Sequence, residues 1–463
     1  MPAFLRCFGW AACCLWCAAV AQADAALNVR EHSLGTLLPG IIPATLRISA
    51  DSSHVAYVVR QGDKWLVVVD GKAGPACDGI MDGTPVFSPD SQHVAYGAQQ
   101  GEEWAVVVDD RPGTTYDGIG IGLLFSPDSQ HLAHAVKQGN KWSLVVDGKP
   151  GAAYDGMGQG LLVFSPDSQH VAYAAQQGDK WLVVMDEKPG PACDGIGKGT
   201  LIFTPESQHV AYAAREGDKH VVVVDGKPGP EYDGIMEGTP IFSPDRQHAA
   251  YVAKQGDKWS VVVDGKPGPT YDGIGIGLIL FSPDSQHVAF AAQQGDKWVV
   301  LVDGKPGPAF EGIGKGSLVF SPDGHRLAYA ARQGARHLVV VNGNPGPAYD
   351  GIMEGTPVFS PDSQHVAYGA QQGDRWFVVE DGKPGLGCDG IGDLLFSPDS
   401  QRAACAARQG DKWLIMEDGE PGIAYDGFLK GCRLIFDSPS ILHTLTVRDN
   451  MVYRVEMTIS QTP

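Results

Sequence analysis

The tripeptide Phe-Ser-Pro, or a close variant of it, recurs along the chain at nearly constant spacing. Imperfect copies at Ile48-Ser49-Ala50 and Phe436-Asp437-Ser438 extend the series at both ends, and no linker interrupts it. A fixed period of this length is typical of repeat architectures, in which each unit buries its apolar face only against its neighbours. The full copies are 37–39 residues apart and begin at Phe87, Phe125, Phe164, Phe203, Phe242, Phe281, Phe320, Phe359 and Phe396.

One repeat, residues 239–274, shows what each unit folds into. Apolar or β-branched runs occupy residues 240–242, 249–253 and 259–263, and a fourth, weaker run begins at Tyr271. Turn residues separate these runs, and Asp264-Gly265 is a strong hairpin signal. Four short strands in about 39 residues match the blade of a β-propeller. The 60 glycines and 32 prolines of the chain argue against a helical solenoid.

Ten complete units and the two chain ends predict the architecture. Residues 29–34 and 41–48 are expected to supply an outer and an inner strand of a last blade, with 442–447 and 452–459 as its two middle strands. A blade built from both termini leaves no exposed edge. The predicted fold is an all-β propeller of about 10–11 four-stranded blades. A single large ring is favoured because no boundary appears, although two consecutive rings are the alternative, since propellers typically have four to eight blades.

The repeat also resembles a known family. Phe281-Ser282-Pro283-Asp284, followed by Val288-Ala289-Phe290 and a Val-rich strand ending at Asp303-Gly304, is similar to the WD40-like repeat of bacterial TolB-type periplasmic propellers. The similarity covers roughly residues 41–455. It implies that the Phe-Ser-Pro strand is innermost, that the Val-Ala-Tyr and Trp-Val-Val strands follow outward, and that the Tyr-Asp-Gly strand is outermost.

The first residues read as an export signal. Arg6 precedes an apolar stretch over residues 7–20, and Ala21-Gln22-Ala23 fits the small-x-small cleavage pattern. We therefore expect a signal peptide over 1–23, a propeller over 24–463, and a periplasmic or secreted location. A lipoprotein anchor at Cys13 or Cys17 fits less well because tryptophans lie nearby. No second apolar run follows, so we do not expect an integral membrane protein.

Charge and cysteine usage restrict the partners further. The formal net charge of −19 makes nucleic acids and anionic membranes poor partners. Cys77, Cys193 and Cys388 stand where other repeats carry tyrosine before Asp-Gly, and Cys405 replaces the tyrosine of Val-Ala-Tyr. These cysteines are expected to be buried apolar substitutions without a disulfide framework.

The repeated polar residues do not predict a catalytic or metal site. Equivalent histidines of different blades cannot converge on one ion, so we predict no metal site. The chain outside 1–23 contains no nucleophile elbow, Walker loop or Cys-x-x-Cys motif, and we expect neither a cofactor nor an enzyme. The rival hypothesis is a polysaccharide lyase or hydrolase at the mouth of the central channel, near Gly392-Asp393 and Cys432-Arg433. The recurring histidines are His93, His131, His170, His209, His248, His287 and His365, with His54 and His325 close by.

An aromatic residue at the start of the third strand is the best binding candidate. It follows a Gly-Asp-Lys-type loop, so a rim of such rings could hold a glycan or an extended peptide. The competing interpretation is packing between blades, since tryptophan is usually largely buried. The sequence thus predicts a non-enzymatic exported scaffold that binds a protein or polysaccharide ligand through one loop-lined face. The candidates are Trp65, Trp104, Trp142, Trp181, Trp259, Trp298, Trp376 and Trp413, with His220 and His337 at the same place in two blades.

Overall fold

The computed structural model describes residues 28–458 except 121, 418–419 and 430. The predicted signal peptide lies outside this range. Among the described residues the one helical element is a 3-10 turn, Pro43–Thr45, and no helix is long and apolar enough to cross a membrane. Eleven antiparallel sheets account for the strands. The prediction of an all-β propeller with about 10–11 blades is confirmed, and the number is eleven.

Blades 1–10 each contain four strands, named a to d from the innermost outward. Strand a is split by a loop in most blades, and it comprises Arg47–Ile48, Gly79–Ile80 with Val86–Phe87, Gly118–Ile119 with Leu124–Phe125, Gly156–Phe164, Gly195–Ile196 with Ile202–Phe203, Gly234–Ile235 with Ile241–Phe242, Gly273–Phe281, Gly312–Ile313 with Val319–Phe320, Gly351–Ile352 with Val358–Phe359, and Gly390–Phe396. Strand b comprises Val55–Gln61, Val94–Gln100, Leu132–Gln138, Val171–Gln177, Val210–Glu216, Ala249–Gln255, Val288–Gln294, Leu327–Gln333, Val366–Gln372 and Ala403–Gln409. Strand c comprises Lys64–Val69, Glu103–Val108, Lys141–Val146, Lys180–Met185, Lys219–Val224, Lys258–Val263, Lys297–Val302, Arg336–Val341, Arg375–Glu380 and Lys412–Glu417. Strand d comprises Lys72–Ala73, Arg111–Tyr116, Lys149–Tyr154, Lys188–Cys193, Lys227–Tyr232, Lys266–Tyr271, Lys305–Phe310, Asn344–Tyr349, Lys383–Cys388 and Glu420–Tyr425.

The outermost strand differs from the sequence-based expectation. The fourth strand of blade 6 is Lys266–Tyr271, so Tyr271 ends this strand, where the sequence analysis has it beginning the run. Pro267 and Pro269 lie within this strand, where proline is unfavourable unless the strand is at an edge. Proline is tolerated there because strand d is the edge of the sheet, where a missing N–H costs no ladder bond and discourages pairing with other chains.

A complete circle of apolar contacts shows that the blades form one ring. Every adjacent pair of blades shares a cluster of buried side chains; Val107 of blade 2, for example, packs with Val58 of blade 1. The last cluster joins Leu445 of blade 11 to Val55 of blade 1. The preference for a single ring is confirmed, and the alternative of two consecutive rings is wrong.

Blade 11 combines segments from both ends of the described chain. Its outermost strand is Asn28–Thr36, which pairs with Met451–Thr458. Ile441–Arg448 follows inward, and the inner strand consists of Gly427–Phe428 and Ile435–Ser438.

The expectation that residues 41–48 supply this inner strand is wrong. Arg47–Ile48 pairs with the strand that begins at Val55 and is the inner strand of blade 1. A short turn joins Ile435–Ser438 directly to Ile441–Arg448, and the C-terminal segment therefore supplies its own inner strand.

The two faces of the ring carry different loops. The top face holds the b–c turns and the links from strand d to the next blade, and the bottom face holds the a–b and c–d turns. On the top face Asp155 accepts hydrogen bonds from Lys141 Nζ (2.6 Å) and from the Gly178 amide of the next blade (2.9 Å). On the bottom face the Asp128 amide donates to Ser168 Oγ of the next blade (3.0 Å). Neighbouring blades are thus linked on both faces.

We expect acid to destabilise the ring through its bottom-face turns. The Ser88 hydroxyl donates to Asp90 (2.5 Å), as does the Gln92 amide (3.0 Å), and these bonds hold the pKa of Asp90 below its usual value. A folded-state pKa below the unfolded one stabilises the fold above about pH 4, and this contribution is lost as the pH falls through the folded pKa. The same direction holds for Asp128, Asp167, Asp245, Asp284, Asp323 and Asp362.

Thermal unfolding followed by circular dichroism should show Tm falling steadily from about pH 4 to pH 2. A variant carrying Asp90→Asn and Asp128→Asn should start with a lower Tm at pH 7 and decline less steeply, because two of the titrating groups are gone. A Tm that stays constant down to about pH 2 would contradict this account.

Candidate functional site

The eight predicted tryptophans occupy equivalent places on the top face. Each lies next to the b–c turn at the start of strand c and is half-buried. Most of the rings pack against the apolar clusters between blades; Trp181 and Trp298 are examples. Some also contact cations, as where Lys254 Nζ lies 5.8 Å from the Trp259 ring centroid. The tryptophans therefore take part in packing while one part of each ring remains accessible.

The repeat is interrupted where blade 10 meets blade 11. Strand a of blade 10 is two residues shorter than that of blade 7, with five steps from Ile391 to Phe396 against seven from Ile274 to Phe281. A cavity of about 560 Å³ lies at this interface, which we call the seam pocket. The inner strands of both blades line it, together with Trp413. Its lining residues are Gly392, Asp393, Ala406, Trp413, Gly427, Phe428, Leu429, Gly431, Cys432, Arg433, Leu434 and Thr444.

Aromatic rings form one wall of the seam pocket. Trp413 and Phe428 meet edge to face with their centroids 5.8 Å apart, and Tyr425 lies 6.5 Å from Phe428. Trp413 packs in the cluster between blades 10 and 11 and also faces this cavity of about 560 Å³, whereas the cavity beside Trp142 measures about 80 Å³.

The seam pocket has few polar side chains, and these differ in chemical type. The Asp393 carboxylate accepts hydrogen bonds from the amides of Leu434 (2.8 Å) and Leu394 (3.2 Å), which ties blade 10 to blade 11. Arg433 is exposed at the rim. Burial raises the pKa of the Cys432 thiol, so this group is neutral near pH 7.

This set of side chains is poorly suited to hydrolysis of a glycosidic bond, which normally requires two carboxyl groups. Among the described residues that line the seam pocket, Asp393 is the one carboxylate, and none is a histidine. An aromatic wall with a carboxylate and a guanidinium at its rim is instead typical of a binding pocket. The sequence analysis pointed to Gly392-Asp393 and Cys432-Arg433, and the structure brings these residues together.

A second cavity, of about 480 Å³, lies between blades 9 and 10. In the interface between blades 8 and 9, Tyr349 and Tyr368 pack edge to face at 6.3 Å. The corresponding residues here are Cys388 and Cys405, and the groove is larger than the one of about 340 Å³ at the same place between blades 3 and 4, where Tyr154 and Tyr173 are both present. Burial raises the pKa of the Cys405 thiol to about 12. The prediction of buried cysteines without disulfides is confirmed, since Cys77, Cys193, Cys388 and Cys405 are buried and free.

Most of the recurring histidines have a structural role on the bottom face. Nδ1 of His93, for example, lies 2.7 Å from Asp109 Oδ2 of the c–d turn in the same blade. The prediction concerns histidines at equivalent places and stays a prediction, but at one interface a recurring histidine lies near a histidine from a different place in the next blade. There, His287 and His325 lie with Asp284 in one group of possible metal ligands. The available signal was His325 itself, which replaces the usual glutamine of the turn.

No family model and no curated protein sequence matches the chain. Solved structures with some similarity include a eukaryotic initiation factor, at 13% identity and a TM-score of 0.38, covering 72% of this chain and 96% of that one. The Dos1 propeller has 12% identity and a TM-score of 0.34, with coverages of 68% and 93%. TolB from Acinetobacter baumannii has 15% identity and a TM-score of 0.25, with coverages of 63% and 77%. Similarity this low does not extend to function.

Proposed function

We propose that this protein is an exported, non-enzymatic scaffold that binds a glycan at its top face, with the seam pocket as the main contact. The observation that carries the proposal is the pocket's composition. Trp413 and Phe428 offer apolar ring surface, and Asp393 and Arg433 among the lining residues offer an acceptor and several donors. Sugars present the matching combination of C–H faces and hydroxyl groups.

The remaining rim supports the same proposal. Further half-buried tryptophans stand in equivalent places around the top face, so a chain-like ligand anchored in the seam pocket would meet similar aromatic edges on neighbouring blades. Once one part of a ligand is bound, its other parts have a high effective concentration at the neighbouring blades, so repeated weak contacts raise the overall affinity. An extended polypeptide could use the same rim, and the experiment below distinguishes it from a glycan.

The test uses residues 24–463 on a panel of polysaccharides and envelope proteins, followed by titration calorimetry on the best ligand. Trp413→Ala should weaken binding about tenfold or more, which is the usual effect of losing a central aromatic anchor. Trp181→Ala is the matched control, because Trp181 occupies the same place in blade 4, on the far side of the ring, and does not line the seam pocket. This control should change affinity less than about twofold.

Three outcomes would contradict the proposal. Equal affinity of the Trp413→Ala variant and the unmodified chain would remove the seam pocket from the binding site. Selective capture of a protein with no glycan bound would identify a polypeptide ligand. Release of new reducing or unsaturated ends from a bound polysaccharide would establish the lyase or hydrolase alternative.

A further inference from the structure

One a–b turn on the bottom face, that of blade 8, carries Gly-His where seven blades carry Ser-Gln. Five blades read Ser-Pro-Asp-Ser-Gln-His here, and blade 6 has Arg246 at the fourth place. Blade 8 reads Ser-Pro-Asp-Gly-His-Arg, with Gly324 and His325 at the fourth and fifth places. The serine at the fourth place usually binds the preceding blade, as where the Asp245 amide donates to Ser285 Oγ (2.8 Å). Gly324 has no hydroxyl and cannot form this link between blades 7 and 8.

The missing side chain allows a carboxylate to approach. A Cβ on Gly324 would lie 2.5 Å from Cγ of Asp284, so only glycine leaves room for the Asp284 side chain in its present place. Asp284 Oδ2 then lies 3.9 Å from Nδ1 of His325 in the next blade. His287 completes the group, and one ligand atom from each of the three residues lies within 4.8 Å of the others.

Each of the three side chains has an atom available for a metal ion. Asp284 Oδ1 accepts from Ser282 Oγ (2.5 Å) and the Gln286 amide (3.1 Å), which leaves Oδ2 directed toward His325. His287 Nδ1 is 2.7 Å from Asp303 Oδ2, so Nε2 is its second, available nitrogen. A histidine oriented by a carboxylate in this way is the usual partner of a metal ion. The side chain of His325 is 70% exposed and can turn toward the ion.

We propose that Asp284, His287 and His325 form a binding site for a divalent transition-metal ion of the Zn²⁺ type, bridging blades 7 and 8 on the bottom face. Two imidazole nitrogens and one carboxylate oxygen are a common Zn²⁺ ligand set, and three protein ligands leave a fourth position for water or another ligand. The ion takes the place of the serine link that this interface lacks. The site lies between blades 7 and 8, away from the seam pocket between blades 10 and 11, and does not depend on the proposed glycan binding.

A second group of possible metal ligands occurs among the described residues, but it differs from the first in how its side chains are paired. His365 and Asp381 also lie together with Glu380, but His365 Nδ1 and Asp381 Oδ2 bind each other at 2.7 Å. The same direct pair recurs in other blades, for example between His131 and Asp147. At the interface of blades 7 and 8, by contrast, the donors come from two blades and converge through a turn that breaks the repeat.

The test is a calorimetric titration of Zn²⁺ into the untagged chain, with thermal unfolding as a second readout. One equivalent should bind, and Tm should rise with it. His325→Gln restores the residue of the other blades, so it should fold normally while weakening Zn²⁺ binding by at least about tenfold. The same group of residues can be built between blades 3 and 4. Ser168→Gly with Gln169→His in blade 4 places a glycine and a histidine beside Asp128 and His131 of blade 3.

The double substitution in blade 4 should add a second equivalent of Zn²⁺, and Ser168→Gly alone should add none. Circular dichroism confirms that each variant is folded. Absence of Zn²⁺ binding to the unmodified chain, equal binding by the His325→Gln variant, or a transplant that adds no equivalent would each overturn the proposal.

Discussion

Replacing Leu445 with alanine is expected to lower the free energy of unfolding by about 2–5 kcal/mol, the usual cost of a buried leucine-to-alanine change. Leu445 is completely buried in blade 11, in the cluster that also contains Val55 of blade 1. Val452 of the neighbouring strand and the partly buried Leu34 of the outermost strand belong to the same cluster. The substitution therefore weakens the apolar cluster between blades 11 and 1, where the ring closes.

The substitution should loosen blade 11 locally under conditions in which the rest of the chain stays folded. Hydrogen exchange should accelerate at the amides of Asn28–Thr36, because this strand is held mainly by Met451–Thr458 and the packing beneath it. Leu338→Ala is the matched control, since Leu338 is equally apolar and buried but lies between blades 7 and 8. It should reduce stability by a similar amount without faster exchange in Asn28–Thr36. Equal exchange of that strand in both variants would contradict closure of the ring at blade 11.

The double substitution Tyr349→Cys with Tyr368→Cys is expected to cost roughly 3–5 kcal/mol, because it removes an edge-to-face pair and two large buried side chains. Both rings are at least nine-tenths buried between blades 8 and 9. The change recreates the side chains found between blades 9 and 10, where the cavity beside Cys388 and Cys405 measures about 480 Å³. Chemical denaturation of the variant and the unmodified chain measures the difference.

The reverse change serves as the control for that prediction. Cys388→Tyr with Cys405→Tyr should fill the groove and raise stability by about 1–3 kcal/mol through burial of ring surface and the restored aromatic contact. A loss of stability in this variant would show that the groove is shaped by more than the two missing rings, and would contradict our explanation of its origin.

The blade itself could be predicted because its determinants are local. The Asp-Gly turns, the Val-rich strand c and the Ser-Pro-Asp turn all act within one period of about 39 residues. Strand d was placed less well, since Pro267 and Pro269 argue against a strand unless it is known to be the edge. The origin of the inner strand of blade 11 was also missed, because residues 41–48 and 435–438 are equally worn copies of the same motif.

The candidate sites depend on distances that a sequence does not contain. The shortening between Ile391 and Phe396 is visible in the repeat spacing, but the seam pocket arises only because Phe428 and Arg433 of the next blade fail to fill the space. In the same way, His325 stands out as an irregular residue, whereas its approach to Asp284 follows from the contact between a–b turns of adjacent blades. The sequence therefore shows where the repeat changes, but not which residues these changes bring into contact.

Electron cryomicroscopy of the purified chain tests the central claim most directly. Class averages viewed along the axis should show eleven peripheral densities around one open hole, with no break where the N- and C-terminal strands meet. Two smaller rings, another number of lobes, or an open arc would contradict the account of eleven blades closed into a single ring.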